Sequence, residues 1–280
     1  MQKENISTYL QIIIAGIIIS FTPILVKFGE SIGPYNLAFF RTSLGALFLG
    51  IYFLFFRKKL SPLKKDIKKM ILFGAIHGII ILLYFYAISK LPVSIAVILL
   101  YLFPAWIIIF SHFILGEKIS KKGLIGLLIS FVGIILILSP RNFLEGSILG
   151  YLAGAIAGML AGLIYVLSKT FKNYNKTSLT FWQNLIATPF LLPLLFLDFP
   201  KFSIGNTLIA SSVGIIGIIY FILIYSSLGK IKTSHAGNLM LLDVIWPAFF
   251  AFILLKEIPE ITTIIGILII MVGTYFVVNE

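Results

Sequence analysis

The chain has 280 residues, of which 60% are hydrophobic and only 11% are charged, and it contains no cysteine. This balance is too apolar for a soluble domain, and the lack of cysteine excludes a disulfide framework, a thiolate metal site and a thiol nucleophile. The formal net charge of +12 does not indicate a nucleic-acid partner, because the basic residues gather in short segments between hydrophobic runs. The composition therefore predicts a protein that lies in a lipid bilayer.

Ten hydrophobic stretches follow one another, each long enough to cross a hydrocarbon core of about 30 Å as a helix. Their approximate bounds are 9–27, 35–56, 70–89, 93–115, 123–139, 147–168, 178–197, 205–228, 234–255 and 261–278. The runs are continuous and lack period-two alternation, so the backbone amides must be satisfied within helices. The sequence predicts an all-α polytopic membrane protein of ten transmembrane helices, with loops too short to hold a soluble domain.

The chain also contains an internal repeat. Residues 72–140 match the residues 140 positions later without a gap, and the first two spans match at a shift of 142. The matched pairs include Gly74 with Gly214, Trp106 with Trp246, Glu117 with Glu257, Gly16 with Gly158, Lys27 with Lys169, and Arg41 with Gln183. Each copy holds five spans, an odd number, so the second copy must be inverted relative to the first. We therefore expect two inverted five-helix repeats, residues 1–140 and 141–280.

The basic residues predict the orientation of these repeats. If the N-terminus is cytoplasmic, most of the 22 Lys and Arg residues fall on the cytoplasmic side, which places both termini there. The segment 57–69 is especially basic, and attraction to anionic headgroups explains it better than binding to RNA does. We expect a multi-pass protein of the plasma membrane.

Ionisable side chains inside a span are costly, so each is a candidate functional residue. Asp243 lies about nine residues into span 9, near the midplane, and is predicted to bind a substrate or a proton, or else to be a structural partner for a buried base or for backbone amides. Arg41, in span 2, is interpreted as a partner of Asp243, an anchor for a substrate carboxylate, or a side chain that extends to the outer headgroups. Polar and aromatic residues that are candidates for the lining of a solute path, with ordinary packing as the alternative for each, are His77, Tyr84, Tyr101, Trp106, Tyr165, His235, Asn238 and Trp246.

Glycine and proline residues mark candidate packing and gating positions. Gly150, Gly154 and Gly158 recur every four residues, which predicts a helix face without side chains that another helix can approach closely; a thin wall beside a solute cavity is the alternative. Pro104 and Pro247 fall within spans 4 and 9 and predict kinks, which serve gating or are packing features only.

These features resemble the drug/metabolite transporter superfamily, specifically its EamA-like transporter family, over nearly the whole chain. The stretch that carries the resemblance best runs from Ala87 to Leu138, with a proline in helix 4, Gly116-Glu117 at its end and a glycine-containing helix 5. The resemblance implies one EamA-like repeat in 1–140 and a second in 141–280. It implies a central cavity lined by helices 1, 3, 4, 6, 8 and 9, which would leave Arg41 of helix 2 peripheral. The second copy departs from the pattern, with Val244 at the position of Pro104.

The resemblance implies a secondary carrier that exports small organic metabolites, such as amino acids, by alternating access, with proton coupling through Asp243 as an option. A multidrug or cation efflux carrier and a metabolite uptake permease are the alternatives. An enzyme is not expected, because no catalytic cluster or nucleotide-binding loop is found. The expected partners are a small-molecule substrate and the bilayer. No cofactor or metal is expected, and a monomer suffices.

Overall fold

The computed structural model describes residues 3–63, 66–138, 147–196, 203–246, 249 and 261–278. Within these residues the chain forms helices and no strand. The α-helices are α1 (Lys3–Ile19), α2 (Thr22–Phe28), α3 (Pro34–Phe55), α4 (Ile67–Lys90), α5 (Val93–Leu100), α6 (Phe103–Leu115), α7 (Lys121–Leu138), α8 (Ile148–Lys169), α9 (Lys176–Leu191), α10 (Ile204–Leu228), α11 (Thr233–Leu239) and α12 (Ile261–Val278). Three short 3-10 segments lie at Glu30–Ile32, Leu192–Phe196 and Met240–Val244.

Seven of the described segments are long and apolar enough to cross a bilayer, and α12 contains a shorter apolar helix, Ile264–Phe276. The seven segments are Ile6–Val26, Pro34–Phe55, Ile67–Lys90, Ile95–Leu115, Ile148–Lys169, Lys176–Phe196 and Ile204–Leu228. Large apolar side chains stand on the outer surface, as with Leu54, Phe113 and Ile204, which a soluble protein would bury. The prediction of an all-helical multi-pass membrane protein is confirmed.

Two of the predicted spans are broken near their middle. Span 1 is interrupted at Ser20 and Phe21, and span 4 is interrupted at Tyr101 and Leu102. The two residues of each break lie three and two positions before a proline, Pro23 or Pro104. A proline interrupts a helix because it lacks a backbone donor and its ring clashes with the carbonyl of the preceding turn. In span 9, α11 passes into the 3-10 segment Met240–Val244, and Pro247 lies outside the described residues.

The helices of the two copies interleave. Helix α4 packs against α8 and α9, while α10 packs against α1 and α3. Helix α7 runs along α12, where a β-carbon added at Gly133 would lie 2.6 Å from the Gly266 carbonyl oxygen. A β-carbon at Gly273 would likewise lie 2.6 Å from the Gly126 carbonyl oxygen. The largest buried apolar cluster lies between α1, α4, α6, α8, α10 and α11, so the first and second copies share one core.

Candidate functional site

The glycine face of α8 packs against the break in span 4. A β-carbon at Gly154 would lie 2.8 Å from the Leu99 side chain, and one at Gly158 would overlap the Leu99 carbonyl oxygen. Gly150 faces Leu91 in the same way, at 2.9 Å. This approach is possible only because α8 has no side chains along that face. The regular glycine spacing of α8 therefore lets the irregular backbone of span 4 lie close against this helix.

A group of polar side chains lies deep between the helices, which we call the central polar cluster. Its members are Arg41, His77, Tyr84, Tyr101, Tyr165, Tyr220 and Asp243. All except Tyr101, which is partly exposed, are buried. The cluster draws on helices of both copies, with charges of opposite sign contributed by α3 and by the 3-10 segment after α11.

Arg41 is the positive member of the cluster. Its side chain is 7% exposed, and its Cζ lies 5.7 Å from the centre of the Phe85 ring. The guanidinium rests on α10, where a β-carbon added at Gly217 would lie 3.1 Å from its Nε. Its charge acts on the phenol of Tyr84 and the ring of His77. The structure therefore corrects the expectation that Arg41 is peripheral, since the side chain points into the bundle instead of extending along its surface.

Asp243 is the negative member of the cluster and is 2% exposed. It packs against the backbone of α1, where a β-carbon added at Gly16 would overlap its Oδ1 and would lie 3.3 Å from Trp246 Nε1. Neither Oδ1 of Asp243 nor Nε1 of Trp246 has a hydrogen-bond partner among the described residues. Within the described part of the chain, no ion pair joins Arg41 to Asp243. The interpretation of these two residues as an ion pair is therefore wrong for this conformation.

Two tyrosines stand between the opposite charges. The hydroxyls of Tyr165 and Tyr220 lie 3.0 Å apart. Both phenols are within electrostatic range of Arg41 and of Asp243. Two phenolic hydroxyls, which can both donate and accept hydrogen bonds, therefore lie within the fields of both charged side chains.

An unbroken series of aromatic contacts lies beside these hydroxyls. The Tyr101 ring lies 5.6 Å from Phe103, which lies 5.3 Å from Tyr165. Phe221 continues the series, 6.4 Å from Tyr165 and 4.9 Å from His77. These contacts form a continuous aromatic surface from Tyr101 to His77 within the cluster.

Other predicted lining residues lie elsewhere. Trp106 stacks on Phe110 with ring centres 5.7 Å apart, at the contact between α6 and α8. The amide of Asn238 donates to the Gly123 carbonyl at 3.4 Å, which directs it to α7. His235 is partly buried in α11. The structure brings together Arg41, His77, Tyr84, Tyr101, Tyr165 and Asp243, whereas Trp106 and Asn238 serve contacts between helices.

Sequence reasoning missed three buried polar residues, Tyr220, Tyr225 and Gln183. The Tyr225 hydroxyl donates to Gln183 Oε1 at 2.8 Å. Gln183 occupies the position of Arg41 in the second copy, and Tyr225 occupies the position of Phe85. The contact of Arg41 with Phe85 in the first copy therefore corresponds to the contact of Gln183 with Tyr225 in the second. The match of Gln183 to Arg41 in the repeat alignment was the one sequence feature that pointed to Gln183.

A second polar group joins the ends of three helices, α6, α8 and α11. Glu117 follows α6 and accepts from Lys169 Nζ at 3.1 Å, from the Thr233 hydroxyl at 2.8 Å and from the Thr233 amide at 3.1 Å. Burial alone would raise the pKa of Glu117, but the Thr233 hydrogen bonds and the Lys169 charge outweigh it and lower this pKa. Because Thr233 is the first residue of α11, the carboxylate caps that helix.

The sequence profile of the EamA-like transporter family matches residues 6–139 and again residues 148–279. The chain is 22% identical to the pseudopaline exporter CntI of Pseudomonas aeruginosa, over 85% of this chain and 84% of the relative. It is 24% identical to an uncharacterized transporter of Bacillus subtilis, YoaV, over 96% of each. One solved crystal structure has a TM-score of 0.82 at 19% identity and covers 98% of both chains, which shows a shared fold. The resemblance seen in the sequence is thus confirmed, and the chain belongs to the EamA-like transporter family.

Proposed function

We propose that the chain is a secondary active transporter that exports small organic metabolites across the plasma membrane by alternating access. The observation that carries this proposal is the central polar cluster, in which Arg41 and Asp243 are buried without pairing to each other. Uncompensated charges are expensive inside a membrane protein and mark solute or ion pathways. The Pseudomonas aeruginosa relative is an exporter, which supports export as the direction.

The proposed architecture is ten transmembrane helices in two inverted five-helix repeats, with both termini in the cytoplasm. Two observations support it. The family profile matches each half of the chain separately. The contacts between copies also occur in swapped pairs, because α4 packs on α8 as α10 packs on α1, and α4 packs on α9 as α10 packs on α3. Such an arrangement lets one copy move relative to the other around a site between them.

We expect transport to be coupled to protons at Asp243. Its carboxyl group lies on the 3-10 segment of span 9 and has no cationic partner among the described residues. A proton or a cationic solute can neutralise it in turn, which would make the binding of one depend on the release of the other. No described Lys or Arg lies beside this carboxyl group, so a proton or a cationic solute can bind it without first breaking an ion pair.

The proposal is tested in proteoliposomes that contain a pH-sensitive dye. Pools of amino acids, nucleobases and hydrophobic cations are added to vesicles with the wild-type protein, with Asp243→Asn, or with Asp66→Asn as a control carboxylate at the start of α4. We expect solute-dependent proton movement that Asp243→Asn abolishes and Asp66→Asn retains. Solute flux that persists unchanged in Asp243→Asn would remove this residue from coupling. No flux with any pool would contradict the proposed transport of these metabolites.

A further inference from the structure

We infer that one corner of the molecule is a binding site for an anionic phospholipid, with basic side chains for the phosphate and exposed phenylalanines for the acyl chains. The basic side chains, which we call the basic corner, are Arg57, Lys58, Lys59, Lys68 and Lys172. They come from the segment after α3, the first turn of α4 and the connection between α8 and α9. The site is separate from the central polar cluster and does not depend on which solute is transported.

The segment after α3 is fastened to the start of α9 by hydrogen bonds. The Ser61 amide donates to the Ser178 hydroxyl at 2.9 Å, and the Trp182 indole donates to the Ser61 carbonyl at 2.9 Å. The side-chain amide of Asn175 donates to the Lys59 carbonyl at 3.3 Å, across 116 positions of sequence. These contacts hold the basic residues after α3 beside the connection between α8 and α9.

The start of α4 is joined to the same connection. Lys69 Nζ donates to the Thr170 carbonyl at 3.2 Å and lies 4.6 Å from the centre of the Phe171 ring. Lys69 is therefore used within the protein, whereas its neighbour Lys68 is exposed. Basic residues of three separate segments are thus brought to one place by the fold.

The charge of the basic corner is not balanced by the protein. Its five side chains are exposed and have no ion pair or side-chain hydrogen bond among the described residues. In the sequence, Asp66 is the one acidic residue between positions 57 and 69, and there is none between 169 and 177. Phosphate accepts charge-assisted hydrogen bonds from lysine and arginine, and each basic residue near an anionic surface strengthens binding about 5-fold. The excess of positive charge therefore matches a headgroup with net negative charge.

The corner lies at the depth of the headgroups. The segments long enough to cross a bilayer end or begin beside it, at Phe55, Ile67, Lys169 and Lys176. Directly before the basic residues, Phe55 is 81% exposed and Phe56 is 66% exposed. A surface that is aromatic toward the hydrocarbon and basic toward the water fits a phospholipid, whose acyl chains and phosphate lie at those two depths.

Arg57 provides a separate indication that its side chain is needed. Its φ is 46°, in the left-handed region, directly after the C-terminal cap of α3. Glycine is the usual residue in this conformation at a helix end, because any side chain adds a steric cost there. The backbone alone would favour glycine, and binding to an anionic ligand accounts for an arginine at this position.

The second copy has a contact at the matched place without the charge. At the shift of 142 positions, segment 57–69 matches segment 199–211, which contains one lysine and no arginine. There the Ser31 hydroxyl donates to Asn206 Oδ1 at 3.1 Å and joins the copies. Contact between the copies therefore needs no excess of basic residues. The positive-inside rule explains on which side the charges lie, but it does not require them to be fastened together.

The experiment compares lipids that differ in headgroup charge. The wild-type protein in detergent is mixed with phosphatidylglycerol or with phosphatidylcholine of the same acyl chains, and native mass spectrometry measures how much lipid stays bound. We expect phosphatidylglycerol to bind about 10-fold more tightly. Glycerol 3-phosphate, the headgroup phosphate without acyl chains, is added as a competitor and should not displace the lipid at equal concentration.

Two triple variants remove the same charge from different places. The variant of the basic corner carries Lys58→Gln, Lys59→Gln and Lys172→Gln and should lose most of the preference for phosphatidylglycerol. The control variant changes three exposed lysines around the start of α7 to glutamine and should keep the preference. These three are Lys118, Lys121 and Lys122.

Arg57→Gly separates binding from folding. Because glycine is favoured at this φ, its melting temperature in phosphatidylcholine nanodiscs should equal or exceed that of the wild-type protein. Its preference for phosphatidylglycerol should nevertheless fall about 3- to 5-fold. The other basic residues of segment 57–69 remain in this variant, so it tests the site even if the triple variant does not insert correctly.

Three results would overturn the inference. One is equal binding of both lipids by the wild-type protein. Another is an equal loss of preference in the two triple variants, because the charge of the whole face would then be sufficient. The third is displacement of the lipid by glycerol 3-phosphate, because the ligand would then be a soluble phosphate. None of these measurements involves transport, so the proposed function stands or fails separately.

Discussion

Replacing Glu117 by glutamine should destabilise the transporter at the end where α6, α8 and α11 meet. The carboxylate caps α11 through two contacts with Thr233 and pairs with Lys169. A helix cap contributes about 1 kcal/mol, and an ion pair with partly exposed side chains contributes up to about 1 kcal/mol. The amide oxygen of glutamine can still accept one hydrogen bond, so we expect a loss of about 1.5 kcal/mol. In a chain of this length, that loss lowers the melting temperature by about 3 to 6 °C.

The assay is thermal unfolding in detergent, followed by tryptophan fluorescence. Glu117→Gln, Lys169→Gln and the double variant form a cycle that isolates the interaction between the two side chains. Lys118→Gln is the control, because Lys118 is exposed beside Glu117 and has no described ion pair. The reasoning is refuted if the losses of the two single variants simply add in the double variant, or if Lys118→Gln lowers the melting temperature as much as Glu117→Gln does.

The same contact predicts a pH dependence. The pKa of Glu117 is lowered in the folded protein, so its stabilisation is fully present above the ordinary glutamate pKa of about 4.3. It is lost as the pH falls through the lowered value of the folded state. The difference in melting temperature between the wild-type protein and Glu117→Gln should therefore stay constant between about pH 5.5 and 7.5 and shrink below about pH 4. A difference that persists undiminished at the lowest pH would contradict this origin.

Three glycine-to-alanine substitutions test the close contacts, two at closely packed positions and one at an open position that serves as the control. Gly158→Ala places a β-carbon on the Leu99 carbonyl oxygen, which is backbone and cannot rotate away, so it should cost about 2 to 3 kcal/mol and lower the melting temperature clearly. Gly205→Ala meets nothing closer than 3.9 Å near the start of α10 and should leave thermal unfolding unchanged or slightly improved. Gly16→Ala displaces the side chain of Asp243 and should abolish solute-dependent proton movement in proteoliposomes at a smaller cost in melting temperature than Gly158→Ala. Equal melting temperatures for the Gly158 and Gly205 variants, or full coupling in the Gly16 variant, would contradict these expectations.

The fold class was predictable because long apolar runs leave few alternatives in lipid. The helix bounds follow the predicted spans within a few residues, for example Pro34–Phe55 against the expected 35–56. The break at Tyr101 and Leu102 was harder to predict, because both residues lie inside a continuous hydrophobic run and a hydropathy profile does not show a helix break there. Pro104 gave the approximate position, because its ring disrupts the turn before it.

The site was only partly predictable. Asp243 stands out in any apolar sequence, since a carboxylate within a span is costly. The placement of Arg41 depended on which helix faces it, and the glycine that makes room for its guanidinium, Gly217, lies 176 positions away on α10. Tyr220 lies one turn after that glycine, in a run of apolar residues that gives no sign of a buried hydroxyl pair. Contacts of this kind arise from tertiary packing, which the sequence of one copy does not determine.

The duplicated chain provides its own comparison between packing and chemistry. Some of the glycines that the copies share make close helix contacts, as Gly126 and Gly273 do between α7 and α12. Two of the positions at which the copies differ in charge hold Arg41 and Asp243, which both lie in the central polar cluster. The space beside Arg41 is vacated by Gly217, and the matched position in the first copy holds His77. A guanidinium is therefore accommodated in the first copy and an amide at the matched position of the second copy, so a duplicated sequence can hold a site with one positive end.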